Sequence, residues 1–92
     1  MTGIDIIAEE RKRQIEEEGW TTEHDAEHTN EALAKAAVCY ALPQFERWGI
    51  RKALWPFEEK WWKPSPDDRV KELAKAGALI AAEIDRLLKD KD

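Results

Sequence analysis

Cysteine, glycine and proline are all scarce in this chain of 92 residues, with one Cys, four Gly and four Pro. Cys39 alone cannot close an internal disulfide or build a zinc site. The glycines stand singly at positions 3, 19, 49 and 77, so there is no glycine-rich loop to cradle a phosphate. No apolar run approaches the roughly 18 residues that cross a bilayer. The N-terminus also lacks the basic-then-apolar layout of a secretory signal, and the expected location is the cytoplasm. Fifteen Lys plus Arg against twenty Asp plus Glu leave a net charge of -5, with the two signs mixed along the chain. Non-specific binding to nucleic acid needs a clustered positive surface, which is missing. Strand-like alternation, repeats and low-complexity tracts are missing as well.

Charge and indole are abundant: 38% of residues are charged, and there are five Trp. Length and an apolar content of 42% suit a single domain, residues 1–92, with a thin core. The stretch from Ile4 to about Glu18 is rich in good helix formers. Ile4, Ile7, Ala8 and Ile15 form a narrow stripe on it, which Arg11, Gln14 and Glu18 extend. Gly19 is placed to end this helix as a C-terminal cap, with Trp20 anchoring the turn. Thr29 or Asn30 predicts the start of a second helix running to about Leu42, with Glu31 in its first turn and Pro43 ending it. Leu33, Ala36, Ala37, Tyr40 and Ala41 are its expected buried face.

Residues 43–66 are aromatic and interrupted. A short helix fits 44–54, while Pro56 and Pro64 forbid one long element. Ser65, Pro66 and Asp68 predict the start of a last helix running to about Leu88. Along it Val70, Leu73, Gly77, Ile80, Ile84 and Leu87 are spaced 3, 4, 3, 4, 3, a helix-pairing seam. That seam either joins two copies as a homodimer or packs on the first two helices. The expected fold is all-α: three main helices and an aromatic connector with short helical turns.

Two clusters carry chemistry. Glu16, Glu17, Glu18, Glu23, His24, Asp25, Glu27, His28 and Glu31 set carboxylates beside imidazoles, a mixture that holds Mg²⁺ or Mn²⁺, with two histidines shifting the preference toward Mn²⁺ or Zn²⁺. A solvated acidic turn is the plainer reading of the same residues. Trp48, Trp55, Phe57, Trp61 and Trp62 form the second cluster, interleaved with Arg47, Arg51, Lys52, Lys60 and Lys63. Exposed rings of this kind stack on nucleobases while the cations neutralise phosphates. The alternative is that Trp55 and one of Trp61 or Trp62 fill the core. A Cys39–His28 nucleophile pair fails, since eleven residues of helix span roughly 16 Å.

The runs Glu10-Arg11-Lys12-Arg13-Gln14, Glu18-Gly19-Trp20-Thr21, His24-Asp25, His28, Asn30 to Ala34, Trp61-Trp62-Lys63-Pro64 and Lys75 to Ile84 cover nearly the whole chain. Together they resemble a group of small phage and prophage proteins, loosely related to the MazG-like all-α nucleotide pyrophosphohydrolases. The resemblance implies a helical homo-oligomer in the cytoplasm of a bacterial host, binding a nucleoside triphosphate over Mg²⁺ or Mn²⁺ and cleaving it between the α and β phosphorus atoms. The paired acidic motifs of those enzymes are absent: three residues after Glu10, Glu31 and Glu83 stand Arg13, Ala34 and Arg86. A variant metal site would then use Glu17, Asp25, His28 and Glu31, with Glu10 or Glu83 reaching in. Glu17 or Glu31 would be the base. Arg11, Arg13, Gln14, Trp20, His24, Trp61, Trp62 and Lys63 would hold the nucleotide. A binding protein that sequesters a nucleotide, including a host immune signal, fits the same residues without turnover. An inhibitor of a host factor, using the acidic surface, is a third reading.

Overall fold

The first helix is closed at both ends by its own sequence. In a computed structural model, which describes residues 1–21 and 31–91, α1 runs Gly3–Glu18. Thr2 and Asp5 form a reciprocal capping box at its start. Gly19 ends it at φ 72, in the left-handed region where a Cβ is unwelcome. The inward face of α1 differs from the apolar stripe expected. Glu10, Arg11 and Gln14 are buried, whereas Ile4, Ala8 and Ile15 face solvent. The guanidinium of Arg11 explains part of this, because it donates to the Trp20 carbonyl at 2.8 Å and meets Asp85 at 3.5 Å.

Helix α2 is Ala32–Ala41, ending at Leu42 before Pro43. Thr29 and Asn30, the expected caps, lie outside the described residues. Glu31 is not in the first turn: it occupies the cap position itself, at φ 56. Leu33, Ala36, Ala37 and Tyr40 are buried as expected, but Ala41 is exposed and Cys39 takes the inward place. Burial pushes the Cys39 thiol pKa up, which keeps it unreactive. The connector holds α3, Gln44–Leu54, and a 3-10 turn, Glu59–Trp61.

Helix α4 is Arg69–Asp90. Asp68, rather than Ser65, caps it: the Asp68 carboxylate accepts from the Lys71 amide at 3.0 Å, and the Ser65 carbonyl instead closes a turn onto the Asp68 amide. Both α1 and α2 pack on α4, and α3 packs on α2. Leu33, Ala36, Ala37, Tyr40, Ala76, Leu79 and Ala82 form the core, with Trp20, Trp55, Phe57 and Trp62 packed against it. The domain is thus all-α, and among the described residues there is no strand. No helix among the described residues is long and apolar enough to cross a membrane.

The seam of α4 meets α1 at Gly77, against which Ile7 lies, but its larger side chains stay open. Val70, Leu73, Ile80, Ile84 and Leu87 are all exposed. The face turned inward is Glu72, Ala74, Lys75, Ala76, Ala78, Leu79, Ala82, Glu83 and Arg86, and three of its four charged residues are ion-paired. Arg86 binds Glu83 at 2.6 Å, and Glu72 accepts from Arg47 at 2.8 Å. Charged side chains so paired tolerate burial, which frees the aliphatic side of α4 to face outward.

Candidate functional site

A cleft of about 530 Å³ opens where the C-terminal half of α1, the 3-10 turn and the first turns of α4 meet. Arg13, Gln14, Glu17 and Glu18 reach it from α1, spaced three and four apart so that they share one side of the helix. Trp20 follows Gly19 into the wall, because the left-handed cap turns the chain back and the Trp20 amide bonds the Gln14 carbonyl at 3.1 Å. Trp61, Lys63 and Ser65 line the opposite side, with Lys71 and Lys75 from α4.

The acids of the cleft are already engaged. Arg13 grips Glu10 with two donors, each at 2.8 Å, and also meets Glu17 at 3.2 Å and Glu18 at 3.6 Å. Gln14 adds a third bond to Glu10 at 3.1 Å. Burial raises the Glu10 pKa, but the hydrogen bonds and charge of Arg13 and the bond from Gln14 outweigh it, and the carboxyl sits below its ordinary value. The same pairing raises the pKa of Arg13. Lys63 approaches Glu18 at 3.5 Å.

Among the described residues, two cations of the cleft are left without such a carboxylate. Lys75 is 8% exposed, and its ammonium donates to the Lys63 carbonyl at 2.5 Å above the Tyr40 ring. Burial, and then the neighbouring charge of Lys71, lower its pKa. Lys71 stands one helical turn away at the mouth and is exposed. The floor is Tyr40, whose hydroxyl accepts from the Lys63 amide at 3.1 Å. Burial pushes this phenol up to about 12, against the Lys63 amide and with help from Glu18, Glu10 and Glu72.

The site residues expected from the sequence therefore divide. Arg13, Gln14, Glu17, Trp20, Trp61 and Lys63 come together at the cleft. Arg11 does not: it is a buried brace between Trp20 and Asp85. Trp62 is half-buried behind the cleft, stacked on Tyr40 at 4.7 Å, with the guanidiniums of Arg47 and Arg51 over its ring at 5.3 and 5.1 Å. Glu31 caps α2 and is not among the cleft residues. His24, Asp25 and His28 lie outside the described residues. Of the two described residues expected to hold Mg²⁺ or Mn²⁺, Glu17 lies at the cleft and Glu31 does not, and among the described residues no three His, Cys, Asp or Glu assemble into a metal cage. The acids present do not fit a divalent ion while Arg13 holds them.

Lys71 and Lys75 escaped the sequence reading. Their spacing of four on a helix places both on one side, and two like charges there, one of them flanked by alanines, were the available signal. No protein-family model, no curated protein and no solved structure matches the chain.

Proposed function

We propose that the cleft binds a nucleotide or nucleotide-derived anion and holds it without cleaving it. The supporting observation is the pair Lys71 and Lys75: two ammonium groups one helical turn apart at the cleft, where burial and then the charge of Lys71 lower the Lys75 pKa, neither bonded to a carboxylate among the described residues. A phosphate placed between them removes that repulsion, and a charge-assisted hydrogen bond in a partly dry site is worth more than in water. Trp61, 36% exposed at the rim, offers a ring face to a base while Lys63 and Lys60 lie near it. Arg13 is saturated by Glu10, Glu17 and Glu18, so its part is to hold the acids away from the incoming phosphate.

Metal-dependent pyrophosphohydrolysis of the MazG-like kind is the second reading, favoured by three carboxylates, Glu10, Glu17 and Glu18, bordering one cleft. It requires at least one of them to exchange Arg13 for a metal ion. The two readings separate in one experiment. The protein is titrated with a panel of deoxynucleoside triphosphates in EDTA and again in Mg²⁺ or Mn²⁺, following tryptophan fluorescence and the products. Quenching in EDTA with the ligand recovered intact supports capture. Monophosphate and pyrophosphate appearing only with metal support hydrolysis, and neither quenching nor product under any condition removes both.

A further inference from the structure

A second pocket, of about 310 Å³, lies between α3 and the segment that leads into α4. Arg47, Trp48 and Arg51 line it from α3, three and four apart so that they are neighbours on the helix surface. Trp62, Pro64 and Pro66 line it from the other side. No carboxylate is among its described lining residues, although the chain carries twenty acids and a net charge of -5. The first cleft is walled by Trp20 and Trp61 instead, so the two sites share no tryptophan.

Arg47 is 5% exposed. Its Nη2 donates to Glu72 at 2.8 Å, while its Nη1 is buried with no hydrogen-bond partner among the described residues. A buried N–H left in this state carries a desolvation cost that an incoming acceptor removes. Arg51 sits beside it: both guanidiniums lie over the Trp62 ring, at 5.3 and 5.1 Å from its centre. The Nη1 of Arg51 donates to Glu59, an exposed carboxylate, at 2.7 Å. The joint field of the two arginines reaches Cys39, where burial raises the thiol pKa and Arg51, then Arg47, pull it back.

We infer that this pocket binds a monocarboxylate with a flat apolar body, either a free acid or the C-terminal residue of a peptide. The charge around it selects the monoanion. Three guanidiniums, of Arg47, Arg51 and Arg69, are paired with two carboxylates, Glu72 and Glu59, which leaves a single positive charge. A phosphate dianion overfills that vacancy of charge. Geometry points the same way, because guanidinium and carboxylate are both planar and meet edge to edge. One carboxylate oxygen would take the remaining donors of Arg51 and the other the Nη1 of Arg47. The ring of Trp48 is 73% exposed, with the Lys52 ammonium 5.7 Å from its centre, and it offers a face to a flat body. The volume falls at the small end of ligand sites, which run about 300–1,000 Å³.

The test is a magnetic-resonance titration of the full isotope-labelled chain, followed through its five indole N–H signals. The probes are phenylpropionate as the free acid, acetyl-dialanyl-phenylalanine as the peptide terminus, the neutral phenylpropanamide, and phenyl phosphate as the dianion. The Trp48 and Trp62 signals should shift saturably with one or both acids, at millimolar affinity, while the Trp20 and Trp61 signals stay in place. The acid that binds more tightly identifies the source. Arg51→Gln should weaken this binding about fivefold or more. Glu59→Gln, which releases Arg51 from its exposed partner, should tighten it about twofold, an effect that a purely structural Arg51 would not give. Circular dichroism checks that both variants are folded. The inference is overturned if neither acid moves Trp48 and Trp62, if the amide moves them equally, if phenyl phosphate binds there more tightly than the acids, or if affinity is unchanged in both folded variants.

Discussion

Ile7 lies directly on Gly77: a Cβ built at position 77 would sit 2.5 Å from the Ile7 Cδ1 and 2.7 Å from its Cγ1. This is where α1 crosses α4, and it explains a glycine in mid-helix that costs about 1 kcal/mol relative to alanine. Gly77→Ala should therefore destabilise the protein, because displacing a stiff β-branched side chain costs about 1–3 kcal/mol and exceeds the gain in helix propensity. In an Ile7→Ala background the same change should become neutral or stabilising. Denaturant melts of the four proteins in this cycle give the answer directly.

The Arg47–Glu72 pair is the tie between α3 and α4. Glu72 is 2% exposed and accepts from Arg47, from the Ser65 amide at 3.1 Å and from Arg69 at 3.3 Å. Removing one partner strands a buried charge, so Arg47→Leu should cost about 3–5 kcal/mol. Arg47→Leu combined with Glu72→Leu should recover much of that loss in a thermal melt. Burial raises the Glu72 pKa, yet Arg47, Ser65 and Arg69 together bring it below its ordinary 4.5. A carboxyl depressed on folding contributes stability above pH 4.5 that disappears as pH falls through the lower folded value. With Glu10 depressed likewise, Tm should hold from pH 7 to 5 and drop steeply below 4.5.

Tyr40 is the single tyrosine of the chain, so its phenol can be titrated without ambiguity. Burial raises its pKa from 10 to about 12. The stability owed to keeping it neutral is complete below pH 10 and lost as pH climbs toward 12. Tyrosinate absorbance should show a midpoint near 12 in the folded protein and near 10 in denaturant.

Within the cleft, Trp61→Ala should weaken nucleotide binding by the roughly 1–3 kcal/mol of one base stack, about 5-fold to 150-fold. Trp62→Ala should behave differently. Its ring is a packing piece against Tyr40 and Trp55, so the loss should appear in the melting temperature. Isothermal titration and a thermal melt of the two variants distinguish the roles.

Much of the architecture is legible in the sequence. Gly19, Pro43 and the prolines at 56 and 64 mark element ends through backbone constraints that act locally, and the structure follows them. Orientation was harder to read. The 3-4 spacing along α4 identifies a seam but not what it faces, and the buried pairs Glu72 with Arg47 and Glu83 with Arg86 turned the charged side inward. On α1, burial of Glu10 and Gln14 depends on Arg13 and on the Trp20 turn, partners that periodicity does not reveal. At the candidate site, Arg13, Gln14, Trp20, Trp61 and Lys63 were picked out by residue type and nearness in sequence. Lys71 and Lys75 come from a helix some fifty residues beyond Trp20 and meet α1 only in the fold.

In the proposed function Lys71 and Lys75 receive a phosphate in a cleft walled by indoles. The most direct test is calorimetric titration of a deoxynucleoside triphosphate panel into the parent and into Lys71→Ala/Lys75→Ala, in EDTA and at two salt concentrations. Saturable binding by the parent should weaken with salt and be lost in the double variant, with helicity kept by circular dichroism even as the lost Lys75–Lys63 bond lowers the melting temperature. Equal binding by both proteins, or no heat from the parent with any nucleotide, would contradict it.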